Sequence, residues 1–298
     1  MDHAAVDSRD YIVAFLLYSP GDCPPDFELD PSLRDFEAGL FLPRDDPDWF
    51  GRSSYPPRIL LLRNRELTIL PRPGVAEGAW QCPLADLISV EAGHMLLRGW
   101  LRFAGSGFDR TIPYNTRGYR SVLRFMQRFR EAWLGDAASV SLHKPEERPA
   151  ELTMKFDGAL AVELDPDESV RAHFYEQPRE ICSRRWLFRR RTATPGDLLV
   201  LTDRRLVWIT DRDRGFQARY GTVASSAPLN ALMTVDASSA SAGAALTIAL
   251  ACGIRWIMPL APGRRADAER FAAQVIYGCA FSAKGMRNGR SGSRESRC

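Results

Sequence analysis

The densest concentration of residues able to do chemistry is CSRRWLFRRRTATPG, residues 182–196, where Arg184, Arg185, Arg189, Arg190 and Arg191 surround Trp186 and Phe188. Clustered guanidiniums offer paired, permanently charged donors that chelate phosphate. Each basic residue beside an acidic membrane adds about 1 kcal/mol. A charge run of this kind is also what an exposed, solvated loop carries. A second basic series, Arg120, Arg124 and Arg128, recurs at four-residue spacing. It reads either as the outer face of a surface helix or as a stripe for an acidic partner. The acidic DDPD at 45–48 lacks the alternate oxygen ligands and closing Glu of an EF-hand loop, so no metal site is predicted.

Catalytic chemistry has little to stand on. His3, His94, His143 and His173 are spread over terminus, strand turn, linker and strand. No phosphate-binding glycine loop, nucleophile elbow or His-Glu-x-x-His pattern occurs. Six cysteines, Cys23, Cys82, Cys182, Cys252, Cys279 and Cys298, are scattered without a C-x-x-C pair, which signals neither a zinc site nor a disulfide framework. The expectation is a non-enzymatic, cytoplasmic protein with reduced thiols and no cofactor.

The whole chain sets wide bounds. A hydrophobic fraction of 45% with 26% charged residues is that of a globular protein, and 298 residues suffice for two domains. The formal charge of +3 is too small to force a nucleic-acid or membrane reading, so any basic site is local. The start carries acidic residues in place of a basic leader, and its apolar patch, Tyr11 to Tyr18, is too short to cross a bilayer.

The elements that would position these residues come twice. ILLLRNRELTIL (59–70) and LLVLTDRRLVWIT (198–210) each join two apolar runs through a polar hinge, Asn64-Arg65 in register with Asp203-Arg204. Downstream, PLADLISVEAG (83–93) matches PLNALMTVDAS (228–238), MLLRGWLRFAG (95–105) answers AALTIALACG (244–253), and RTIPYNT (110–116) answers RWIMPLA (255–261). Upstream, FELDPSLRDF (27–36) lies opposite VELDPDESVR (162–171). A repeat this long means duplicated domains and not a solenoid.

The paired apolar runs are hairpin signals, and the absence of Asn-Gly or Asp-Gly predicts loops longer than two residues. Six or seven short strands per half predict a small barrel or sandwich. Trp100, Trp208 and Trp256 fall in strand patterns and are expected in cores. Each half then ends in a helix. In the first, Tyr119, Val122, Leu123, Met126, Phe129 and Trp133 share a face, with Thr116 as start cap and Gly135 as end cap. In the second, Phe271, Val275 and Gly278 share one, with Ala272 and Ile276 beside them.

These strands, the GDLLVLTDRRLVWIT hairpin and the closing amphipathic helix together resemble the pleckstrin-homology-like superfold, in its bacterial PH-like and GRAM-like branches. The first half departs from that pattern with Arg-Asn-Arg-Glu in place of Thr-Asp-Arg-Arg. The resemblance implies a mainly β (α+β) chain of two PH-like barrels, each a bent antiparallel sheet capped by its C-terminal helix. The expected boundaries are 1–137 and 151–282 for the domains, a Pro-containing linker at 138–150 and a disordered basic tail at 283–298. It also implies an anion site at the loop between the first two strands of the second domain, where Arg184 to Arg191 fall. The matching loop of the first domain carries Asp45, Asp46 and Asp48 and would repel phosphate. Three functions remain, in this order: a protein-binding scaffold that takes a peptide by strand addition or in a groove beside the helix, a peripheral adaptor on acidic lipid, and an unrecognised enzyme whose groups meet only in the fold. No specific nucleic-acid partner is expected.

Overall fold

The computed structural model describes residues 11–44, 55–95, 98–135, 152–185, 188–211, 221–240 and 243–290, with backbone alone over 179–185, 188–194, 239–240, 243 and 279–290. The expected linker, the acidic DDPD loop, His3, His143 and Cys298 lie outside the described residues. The chain divides into two units, 1–135 and 136–298.

The first unit holds a five-stranded antiparallel sheet in chain order: β1 (Phe15–Leu17), β2 (Ala38–Leu42), β3 (Arg58–Arg63), β4 (Glu66–Pro71) and β5 (Trp80–Pro83). A meander of β6 (Leu87–Met95), β7 (Arg98–Gly105) and β8 (Phe108–Asn115) follows, and α1 (Tyr119–Leu134) closes the unit. The run ILLL is continuous and not alternating because β3 is covered on both faces. Leu60 and Leu62 point into a core shared with the meander and with Val122, Phe125, Met126, Phe129 and Trp133 of α1. Ile59 and Leu61 point the other way, against Phe27, Leu29, Leu33 and Phe36 of the segment before β2.

The second unit repeats the plan with an added ribbon, a helix as cover and no counterpart of β1. Strands β9 (Val170–Glu176), β12 (Asp197–Thr202), β13 (Arg205–Thr210) and β14 (Gly221–Pro228) pair in the order β9-β12-β13-β14. Between β9 and β12 the chain forms a separate ribbon, β10 (Arg179–Arg185) with β11 (Phe188–Thr194). The meander is β15 (Leu232–Ala240), β16 (Gly243–Leu250) and β17 (Arg255–Pro259), and α3 (Arg265–Arg290) follows it. Here the face bearing Leu198 and Val200 is covered by a helix, α2 (Met154–Glu163), through Phe156 and Leu160. The opposite face meets α3, where Phe271 packs on Phe174 and Gly278 lies beside Leu201.

The duplication is therefore visible in backbone detail. The N–H of Leu84 donates to the carbonyl of Arg65 (2.8 Å), and that of Leu229 to the carbonyl of Arg204 (3.4 Å). Each bond seats a one-turn 3-10 segment after a proline, Leu84–Asp86 after Pro83 and Leu229–Ala231 after Pro228. Both meanders then open with the same bulge, which skips Ile88 in one and Met233 in the other. The bulge register aligns β16 with β7 so that Leu250 answers Gly105, a shift of a few residues from the alignment read off the sequence.

Several expectations are corrected. The fold is mainly β with antiparallel sheets and closing helices, but the pairing forms no closed barrel among the described residues. The β3-β4 loop is a two-residue turn: Arg63 pairs with Glu66, and Asn64 and Arg65 take φ of 45° and 59°. This is a type I′ geometry reached without glycine, which Asn tolerates best. The β12-β13 loop is longer, as expected, with Leu201 paired to Leu206. Gly118 (φ 81°), not Thr116, sits at the α1 N-cap, because a Cβ there would meet the backbone of Ala14. Gly135 does end the helix. Phe125 is buried and Leu123 only half-buried, so the core face of α1 is turned slightly from the one read. Ile276 is exposed, and α3 continues as helix to Arg290, past the point where a disordered tail was expected.

Candidate functional site

The hinge Thr202-Asp203-Arg204-Arg205 is held by the segment before β9. Arg205, flanked by aliphatic strands, is wholly buried. Its Nε donates to Oε1 of Glu168 (2.8 Å) and its Nη2 to Oε2 (2.7 Å), a two-pronged contact. Nη1 donates to Ser226 Oγ (3.0 Å) and Nη2 also to the Glu163 carbonyl (2.5 Å). Thr202 donates its hydroxyl proton to Glu168 Oε1 (2.7 Å) while accepting the Arg204 and Arg205 N–H groups (3.1 and 3.0 Å). Asp203 accepts the Ser169 N–H on Oδ1 (3.1 Å), and Arg204 pairs with Asp167 (2.5 Å). Every residue of the hinge thus grips the segment 163–169.

Burial alone would disfavour the Glu168 charge. The hydrogen bonds and charge of Arg205, the Thr202 hydroxyl and the Asp165 N–H outweigh that burial and hold the carboxyl below its ordinary value. Arg205 is likewise disfavoured by burial but raised by Glu168. The sequence contains a signal for this lock. Two arginines, Arg204 and Arg205, stand between the apolar runs LLVLT and LVWIT, a guanidinium buried there needs a carboxylate, and DPDES supplies it upstream. In the first unit the same place is held more lightly. The Asn64 N–H donates to Glu37 Oε1 (2.9 Å), Arg63 reaches the Ser32 carbonyl, and Arg65 Nη2 reaches the Trp133 carbonyl at the end of α1 (3.4 Å).

The arginines of 184–191 stand on the β10-β11 ribbon and not in a loop. Arg184 is directly opposite Arg189, Arg185 opposite Phe188, Ser183 opposite Arg190 and Cys182 opposite Arg191. Alternate residues of a strand share a side, so Arg184, Arg189 and Arg191 fall on one side of the ribbon, and Arg185 and Arg190 on the other. Trp186 lies outside the described residues.

Arg120, Arg124 and Arg128 are exposed on α1. Arg128 approaches Glu131 at 3.7 Å. Sequence reasoning missed a third arginine group, at the start of β3 and β8. There Glu77 bridges Arg58 (2.7 Å) and Arg110, whose guanidiniums lie over the rings of Tyr55 and Trp80. Only three-dimensional pairing joins these residues, which are far apart in the chain.

His94 stacks on Tyr119 in the first unit (4.7 Å between ring centres), while His173 lies on β9 of the second. Burial, and after it Asp22, pushes the Cys23 thiol up to about 11. Cys82 is pushed up to about 11 by burial first and then by Asp86 and Glu66. Both are protonated at neutral pH and poor nucleophiles. Among the described residues no group of three or more His, Cys, Asp or Glu side chains could hold a metal ion. Trp256 is buried, as expected for a core residue. Trp100 and Trp208 are half-buried, each with its indole N–H on a carboxylate, Glu91 (2.7 Å) and Asp197 (3.0 Å).

No known protein-family model matches the chain, and a comparison with curated proteins gives no match either. Among the described residues no helix is long and apolar enough to cross a membrane.

Proposed function

We propose that this chain is a non-enzymatic binding protein of two PH-like modules, and that the second attaches to acidic lipid through the β10-β11 ribbon. The order of elements supports the PH-like assignment: in each half a hairpin-rich sheet, a three-stranded meander and a closing helix follow one another. One observation carries the ligand class. Arg184 faces Arg189 across the ribbon, with Arg191 two residues further on the same side. Like charges placed opposite each other cost a sheet about 0.2–1 kcal/mol, a cost that a bound polyanion removes. The guanidinium fork suits phosphate in particular.

The alternative, a scaffold that takes a peptide beside the helix, has less behind it. The face of α1 towards the sheet is already filled by Phe125, Phe129 and Trp133. Strand addition needs an exposed edge, and the edges of the five-stranded sheet are β1, of three residues, and β5, of four, which are short templates for a peptide.

The test is sedimentation of the protein with neutral and with phosphoinositide-containing acidic liposomes. The variants are Arg189→Glu/Arg190→Glu/Arg191→Glu and a chain ending at Arg290. The expected result is that acidic vesicles pull down the parent and the shortened chain, less so as salt rises, while the triple variant stays in solution. Loss of binding on shortening alone would move the site to residues 291–298. A parent that stays in solution at low salt would end the lipid reading and return the scaffold to first place.

A further inference from the structure

We infer that the first unit has an acidic-membrane contact of its own, formed by the guanidiniums of Arg117, Arg120, Arg124 and Arg128 along α1 with Ile12 and Val13 beside them. The inference extends the lipid reading to a unit whose acidic 45–48 segment argued against any such role.

The first support is uncompensated charge. All four arginines are exposed. Arg120, Arg124 and Arg128 follow one another at about 6 Å along the helix axis, and Arg117 stands just before the first turn. Among the described residues Arg117, Arg120 and Arg124 have no carboxylate partner, and Arg128 has only the loose, exposed contact with Glu131 at 3.7 Å.

The second unit provides an internal control. Its closing helix is equally rich in arginine at its start, but there Arg264 pairs with Asp267 (2.6 Å), Arg265 with Glu269 (2.7 Å), and Arg270 with Asp267. The first turn of α3 carries Asp267, whereas that of α1 carries no acidic residue. Two helices in equivalent positions have therefore diverged in one respect, the neutralisation of their outer arginines.

The second support is what lies beside the ridge. The chain entering β1 is tied to its start: the Ala14 N–H donates to the Arg117 carbonyl (3.3 Å), and Val13 lies against Gly118. At this point Ile12 is 60% and Val13 43% exposed. Two bare aliphatic side chains next to a row of guanidiniums form the amphipathic combination that seats a protein in the headgroup layer, with aliphatic groups entering the acyl boundary and arginines on the phosphates. The helix itself exposes no large apolar residue. It therefore offers neither an anchor for a protein pocket nor a ring on which a nucleobase could stack.

The test uses the full chain with vesicles of phosphatidylcholine, alone or mixed with phosphatidylserine. The variants are Arg120→Glu/Arg124→Glu, Ile12→Asp/Val13→Asp, and the ribbon triple-Glu chain as a separate arm. All the ridge positions are exposed, and near-ultraviolet circular dichroism checks that the fold is kept. The expected result is a drop of about tenfold or more in partitioning onto acidic vesicles for Arg120→Glu/Arg124→Glu. Ile12→Asp/Val13→Asp should also lose affinity, and the binding that remains should depend more steeply on salt. If the ridge variant partitions like the parent while the ribbon variant does not, the ridge falls and the ribbon stands; the reverse result sinks the ribbon alone. A parent that ignores vesicles but binds a DNA duplex or an acidic peptide through Arg120 and Arg124 overturns the membrane assignment.

Discussion

Arg205 and Glu168 form a fully buried ion pair, joined by two hydrogen bonds of 2.8 and 2.7 Å, with no solvent exposure of either side chain. Removing one member leaves a bare charge in the interior. Arg205→Met or Glu168→Leu alone is expected to destabilise the second unit by about 3–5 kcal/mol, whereas the double replacement recovers much of that loss. Urea unfolding followed by tryptophan fluorescence measures it. A double variant no better than the worse single would show that the loss is one of packing and not of an abandoned charge.

The same pair sets an acid limit. Because the Glu168 carboxyl titrates lower in the folded chain than in the unfolded one, the unfolded state takes up the proton first. The stability it contributes is complete above the unfolded value, about 4.3, and is lost as pH falls from there through the lower native value. The midpoint of urea unfolding is expected to stay level on this account at neutral pH and to drop in that acid window. In Glu168→Gln the drop attributable to this group should vanish. An equal acid slope in parent and variant would assign it to other carboxylates.

Gly93 and Trp100 are partners across the first meander, and a Cβ on Gly93 would lie 2.1 Å from the indole. Gly93→Val is expected to lift the ring off the strand, break its bond to Glu91 and cost on the order of 1–3 kcal/mol. A red-shifted tryptophan emission with a lower melting temperature is the signature. An unchanged emission would mean that the strand moves and the ring stays.

The Asn64-Arg65 turn carries the positive φ of a type I′ hairpin on a residue with a full side chain. Arg65→Gly is expected to leave the melting temperature of the first unit unchanged or raised, since relief of about 1 kcal/mol of backbone strain offsets the long 3.4 Å contact to Trp133. Arg65→Val should lower it. If glycine destabilises as much as valine, the guanidinium at the end of α1 matters more than the turn.

Across the ribbon, Arg189→Glu would stand opposite Arg184. A charge reversal that creates a cross-strand ion pair is expected to slow amide exchange in β10 and β11 even as it weakens vesicle binding. Faster exchange would show that the facing arginines are not in conflict.

The order of elements was legible because hydrophobic runs and hinges repeat: Asn64-Arg65 with Asp203-Arg204, and Pro83-Leu84 with Pro228-Leu229. The closing helices could be read from the spacing of Val122, Met126, Phe129 and Trp133. What escaped was set by neighbours distant in the chain. The α2 helix is short and its apolar residues are spread around it and not gathered on one face, with Met154 and Val162 exposed, so Phe156 and Leu160 gain their burial from a sheet formed largely by residues some forty positions further on. The turn at Asn64 was misjudged because a tertiary fit can hold positive φ without glycine. For the site, the cluster 184–191 was found by composition, but its division over two sides of a ribbon depends on the pairing register of β10 with β11, which composition does not reveal. The bareness of Arg120 and Arg124 became informative only beside the paired arginines of α3.

The hinge of the second half works only as a pair of segments separated by more than thirty residues, DPDES and TDRR. A short genetic exchange between the two halves would carry one without the other. Moving Thr202–Arg205 into the place of Arg63–Glu66 would bring a guanidinium to a hinge whose upstream DPSLR at 30–34 lacks the glutamate of DPDES, and where Glu37 already accepts the Asn64 N–H. Sequence exchange between the halves is therefore expected to be penalised at the hinge. The two halves thus carry different surfaces and different hinge chemistry on the same backbone bulge and the same seat for Leu84 and Leu229.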